Sequence, residues 1–280
     1  MFIAAKAVAV TLLIGSFGGL TSPETDAVYE KKAAIEETRV ACMKESGLTY
    51  LAEPVIKRTW QPGERERLAG DYKALRAYRA KYGYGVWSAL VYPNDTVVNP
   101  EWGDNPNNEN LMAMSADELK KWRTADDGCF AKAVKQHLGK TVTSSDDYYT
   151  KLDAALDKSL VALDEDKQLA QLGKQFAKCL GVSQTKPSAL AGLGHSQYTK
   201  QATEVAKKQH KGSLPKVPEG RTLIMKPQLK PEEAKPYLDK EIKAALKDLE
   251  CGKSFYAAYS PKERAAKERV YQEFAVDFAL

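Results

Sequence analysis

Residues 22–47 read SPETDAVYEKKAAIEETRVACMKESG. Ser22, Pro23 and Glu24 are an N-cap, a proline at the first helical position and an early acid, the combination that starts a helix. Val28, Ile35 and Cys42 follow at seven-residue spacing, which sets them on one helix face, and Gly47 supplies a stop. The stretch predicts a long helix that ends just after a cysteine. The same grammar recurs. A helix after Pro62 carries Leu68, Tyr72, Leu75 and Tyr82 and stops at Gly83-Tyr84-Gly85. Ser115-Ala116-Asp117-Glu118 is a capping box that opens a helix through Trp122, a pattern interrupted at Gly128 next to Cys129 and continued by Phe130 and Val134 to Gly139. Ser144 or Ser145 caps a helix with Tyr149, Leu152, Leu156 and Leu160, which bends or continues through Asp164-Glu165-Asp166 to Phe176, Cys179 and Gly181.

Farther on, residues 183–196 are expected to be loop and 197–211 a basic helix. Residues 212–230 hold Pro215, Pro218 and Pro227 around Leu223-Ile224-Met225 and read as linker with one short strand at most. Pro231 opens a helix to Cys251, and Ser260-Pro261-Lys262-Glu263 reads as another capping box before a last helix with Val270 and Phe274. The expected fold is all-α, in two helical halves at 23–141 and 142–280. Residues 87–114, with six asparagines and three prolines, form a long irregular loop in the first half.

Each half carries one cysteine near a helix end, Cys42 or Cys179, and a second after a long connection, Cys129 or Cys251. This shared rhythm suggests a divergent duplication with bridges Cys42–Cys129 and Cys179–Cys251. Spacing alone leaves the two other pairings open. The N-terminus, MFIAAKAVAVTLLIGSFGGL, has a single charge, Lys6, before an apolar run from Ala7 to Leu20. That run is short for a bilayer span and reads as the core of a signal peptide over residues 1–22, with an uncleaved anchor as the alternative. No cysteine lies near its end to be acylated. Export leads to an oxidising compartment, where four cysteines mean two structural disulfides.

The chain has 280 residues, 43% of them hydrophobic, enough for a core that disulfides reinforce rather than replace. Its net charge of +5 is concentrated between Lys200 and Lys230, where eight Lys/Arg face only Glu204 and Glu219. A nucleic-acid binder would more often spread arginines and aromatics over one domain face, so no nucleic acid is expected. Anionic wall polymer or lipid headgroups suit this segment better.

Catalytic and metal signatures are weak. His137, His195 and His210 lie far apart, with no zinc-type spacing, and no nucleophile elbow is present. Asp126-Asp127, Asp146-Asp147 and Asp164-Glu165-Asp166 are paired acids of the kind a glycosidase uses, but they sit at helix starts or polar turns, where capping explains them. Gly192-Leu193-Gly194 lacks the third glycine of a phosphate loop. No cofactor or metal is expected. The most site-like stretch is the loop with Tyr84, Trp87, Tyr92, Trp102 and the asparagines, since aromatic faces and amides stack on sugars or grip peptides.

Cys42-Met43-Lys44-Glu45-Ser46-Gly47-Leu48-Thr49-Tyr50, Tyr82-Gly83-Tyr84-Gly85 and Gly128-Cys129-Phe130-Ala131 together resemble the "CM…G…Y", "YGYG" and "GC…A" patterns of uncharacterised exported actinobacterial helical proteins, of secreted or lipoprotein type. The match spans about residues 35–140, with a weaker echo around Cys179 and Cys251. The resemblance implies an exported, helical, disulfide-bearing protein and supplies no catalytic residues. The expected function is non-enzymatic binding or structure in the cell envelope or extracellular space, with a glycan, an anionic wall polymer or a protein as partner. The membrane enters this expectation only through an uncleaved N-terminus. A secreted hydrolase of wall glycan or peptide, or a subunit of a larger secreted or phage-derived assembly, is the alternative.

Overall fold

The computed structural model describes residues 23–57, 59–100, 105–214 and 223–276. The expected signal peptide and Trp102 lie outside them. Every regular element among the described residues is helical: α1 (Pro23–Glu45), α2 (Glu64–Leu68), α3 (Tyr72–Tyr82), α4 (Ser88–Val91), α5 (Asn108–Ala113), α6 (Ala116–Leu138), α7 (Ser145–Val161), α8 (Lys167–Leu180), α9 (Pro187–Gln209) and α10 (Pro231–Glu273). The all-α expectation holds. Local caps act where the sequence places them: Ser115 and Glu118 form the full capping box of α6, and the Ser144 hydroxyl accepts from the Asp147 N–H at the start of α7.

α1 and α6 lie antiparallel, with Thr38 hydrogen-bonded to His137 at one end and the Trp122 indole donating to the Thr49 carbonyl at the other. Cys42 and Cys129 are bonded between them. In the second half Cys179 of α8 is bonded to Cys251 of α10. Each bridge therefore closes within its own half. The halves nevertheless share α10. This 43-residue helix, about 65 Å long at the standard rise, runs past α4 and α9, then α3 and α8, and last α7. Ala234 and Leu238 pack with Trp87; Leu249, Phe255, Tyr256 and Tyr259 pack with Leu75, Leu169 and Phe176; Val270 and Tyr271 pack with Phe130, Tyr148 and Leu152.

Four boundaries differ from the sequence reading, and one is the expected irregular loop at 87–114, which contains the short helices α4 and α5. The helix expected after Pro62 is two, α2 and α3, broken at Gly70, whose φ of +79° excludes helix, and restarted by Asp71 capping the Ala74 N–H at 2.8 Å. α9 begins at Pro187, so most of the expected 183–196 loop is helix. Its cap is not local: Asp164, 24 residues earlier, accepts from the Ser188 N–H and hydroxyl, both at 2.8 Å. Gly194 sits inside α9 because the Tyr84 ring fills the place a Cβ would take. Finally, Ser260-Pro261-Lys262-Glu263 starts no helix, since α10 continues through Pro261. Proline removes one hydrogen bond, here that of the Ala257 carbonyl, and Ala257 is exposed, so water can replace it. The buried stripe continuing from Tyr259 to Ala266 and Val270 outweighs that loss. Glu263, instead of closing a cap, pairs with Lys267 at 2.7 Å.

Candidate binding surface

The loop after α3 is held from inside by one carboxylate. Glu241 of α10 has no exposed surface and accepts from the backbone N–H groups of Tyr84 (2.8 Å), Val86 (3.0 Å) and Trp87 (2.9 Å). Burial pushes the Glu241 carboxyl above its ordinary range, and the backbone donors pull the other way. Gly83 makes this approach possible: its φ is +64°, and a Cβ there would sit 2.7 Å from Glu241 Cγ.

The cradle determines where the loop aromatics go. Trp87 is wholly buried, stacked on Tyr237 with centroids 4.2 Å apart, and its indole N–H donates to Gln201 at 3.0 Å. It is a core residue with no face open to a ligand. Tyr84 is half-buried against Gly194 and Tyr198, and Tyr92 is half-buried edge-on to Tyr82. Two of the asparagines are similarly occupied. Asn99 donates to the carbonyls of Ala89 and Tyr92, and Asn107, buried, pairs with both the N–H and the carbonyl of Leu51. These amides satisfy backbone groups that no regular helix satisfies. Tyr84, Trp87 and Tyr92 are thus brought near one another as pins of a loop and form no common open face.

At least one acid of each set is also engaged, and Asp126-Asp127 lies inside α6 rather than at a helix start or turn. Asp126 takes both arms of the Arg39 guanidinium, at 2.6 and 2.7 Å, and Arg39 also reaches Glu36 at 3.2 Å. Asp147 accepts from the Thr143 N–H and pairs with Lys151. Asp164 caps α9, and Asp166 caps α8 while pairing with Lys262. No group of three or more metal-ligating side chains exists among the described residues. A second buried pair, Arg79 with Asp248, escaped the sequence reading. Asp248 also accepts from the Tyr256 hydroxyl at 2.7 Å, and Arg79 donates to the Ala245 carbonyl at 3.0 Å. Burial raises the Asp248 carboxyl, and Arg79 opposes that rise. The available signal was the spacing: Asp126 and Asp248 each stand three residues before a bridged cysteine.

What remains open to solvent is the basic stretch. The Gln209 side chain bonds both the N–H and the carbonyl of Gln228, at 2.9 and 3.0 Å, which lays residues 223–230 beside the end of α9. Lys208, Lys211, Lys226 and Lys230 are all exposed there, while Lys207 pairs with Glu204 at 2.9 Å. Family models, curated proteins and solved structures contain no match to this chain. Its chemistry therefore has to be read from these residues.

Two complete disulfides and no free cysteine suit an oxidising, extracytoplasmic environment. Among the described residues no helix is long and apolar enough to cross a membrane.

Proposed function

We propose that this chain is an exported, non-enzymatic binding protein of the cell envelope or extracellular space that holds an anionic component of the envelope through the lysines around the end of α9. The observation that carries this reading is the cluster of exposed, unneutralised cations on a helical body whose buried charges are already partnered internally. A buried charge costs free energy unless paired, so Arg39, Asp126, Arg79 and Asp248 are accounted for by folding. The exposed lysines have no such account. The resemblance to exported actinobacterial proteins agrees with the proposed location. The aromatic loop carries less weight, because Trp87 is enclosed and Asn99 and Asn107 are bonded to backbone.

Contacts between exposed charges weaken as salt rises, because the screening length falls to a few ångströms near molar ionic strength. The protein is expected to sediment with host envelopes at low salt and to be released at high salt. Unchanged sedimentation across that range would remove the lysine surface as the contact.

A further inference from the structure

Two side chains in the basic region are hard to reconcile with a hydrated polymer alone. Ile224 is 66% exposed and Leu214 is 42% exposed, each within three residues of an exposed lysine. Leu214 follows Lys211 by three residues, and Ile224 precedes Lys226 by two. An exposed isoleucine gains nothing from a polyanion in water. It gains about as much as any buried aliphatic chain where anionic headgroups border an acyl layer. Among the described residues the acids nearby are few: Glu204 is taken by Lys207, Glu233 caps the start of α10 through the Lys230 N–H, and Glu232 is exposed beside it.

From this juxtaposition we infer that the end of α9, with residues 210–214 and 223–230, docks on an anionic bilayer surface. The lysines lie on the headgroups, and Leu214 and Ile224 enter the acyl boundary. The inference rests on the anionic-contact reading above and names its partner. It differs from anchoring by the N-terminus, because the residues that do the work are the folded chain's own and the contact is reversible by salt.

The test uses the full chain, with residues 1–22 identical in every variant, so any contribution of that segment cancels. Affinity is measured for phosphatidylglycerol–phosphatidylcholine vesicles, for phosphatidylcholine vesicles and for soluble polyphosphate. Each lysine near an anionic surface is worth about a fivefold factor, so Lys208→Gln, Lys211→Gln and Lys226→Gln combined should weaken binding to the anionic vesicles about 100-fold. The same triple variant should also weaken polyphosphate binding. Ile224→Ser should weaken vesicle binding about tenfold and leave polyphosphate binding unchanged. All four positions are exposed, so folding is preserved in these variants. If Ile224→Ser binds anionic vesicles as the unmodified chain does while the lysine variant loses polyphosphate, the bilayer inference fails and the anionic-contact reading stands. If the lysine variant binds vesicles and polyphosphate like the unmodified chain, both fail.

Discussion

At Cys42–Cys129 the arginine that neutralises Asp126 is Arg39, on the same helix as Cys42. At Cys179–Cys251 the arginine that neutralises Asp248 is Arg79, on α3 and on neither helix that carries the bridge. The parts are alike: an aspartate one helical turn before a bridged cysteine, a buried guanidinium, and an aromatic ring under it, Tyr50 at 4.4 Å or Tyr256 at 4.5 Å. Their wiring differs. The first assembly ties α1 to α6 and stays within its half. The second adds a crossing from α3 to α10, so an ion pair spanning 169 residues joins the halves that the disulfides leave unlinked. The bridges also differ in surroundings. Cys129 is buried beside Met43 and Trp122, whereas Cys179 is exposed and lies over a cluster built from Phe176, Phe255, Tyr256 and Tyr259. That cluster holds α8 to α10 by apolar contact, and Lys262 of α10 pairs with Asp166 at the start of α8. At its bridge α1 meets a smaller cluster, Met43 with Tyr50 and Trp122, and its Ile35 packs with Phe130 and Tyr148 two turns away, so it relies more on its bridge.

The largest expected effect comes from the arginines. Arg39→Met and Arg79→Met each leave a buried carboxylate unpaired, and each should cost about 3–5 kcal/mol in urea unfolding. The comparison is sharpened by the form of the transition. Arg79→Met should separate the unfolding of the two halves, and Arg39→Met should not. A single coincident transition by two probes in Arg79→Met would mean that Glu241 and the α10 core suffice to couple them.

Next come the bridges. They close loops of 87 and 72 residues, for which chain entropy assigns nearly the same stabilisation, about 4.5 kcal/mol each. Any difference between them therefore reports the native surroundings. Cys42→Ser with Cys129→Ser should lose about 4 kcal/mol, and Cys179→Ser with Cys251→Ser about 2 kcal/mol, within the usual range for native bridges. Equal losses would break the contrast and leave chain entropy as the whole account.

The smallest effect is a pH slope. Glu241 and Asp248 hold their protons more tightly in the folded chain than their ordinary values of 4.5 and 3.8. A carboxyl raised by folding contributes most below its unfolded value, and that contribution falls as the pH rises through the folded one. The unfolding free energy should therefore decline on going up from about pH 4.5, by at most about 1.4 kcal/mol per pH unit for each proton. Asp248→Asn should flatten part of that decline, and an unchanged slope would remove Asp248 as its source.

Much of the fold was legible because its signals are local. Ser115 and Glu118 cap α6 by bonds that close within four residues, and Gly139 and Gly181 take the left-handed conformation that ends α6 and α8. The site was less legible. Trp87 and the asparagines read as binding equipment because sequence shows residue types without showing which atoms are already occupied. The glycines of the YGYG stretch read as a helix stop, and nothing local named Glu241, 154 residues from Trp87, as the group that approaches there.

The sequence by itself determined the helical class, most helix starts and stops, and the two cysteine-bearing helices of each half. It left the pairing of the cysteines open among three arrangements, and tertiary contact settled it. Tertiary structure also decided that α9 starts at Pro187 under a distant Asp164 cap and that α10 runs unbroken through Pro261. It enclosed Trp87 and left Ile224 outside. The physical reason is range: capping and glycine conformation are set by a few adjacent residues, whereas burial and the pairing of buried charge depend on groups that only folding brings together.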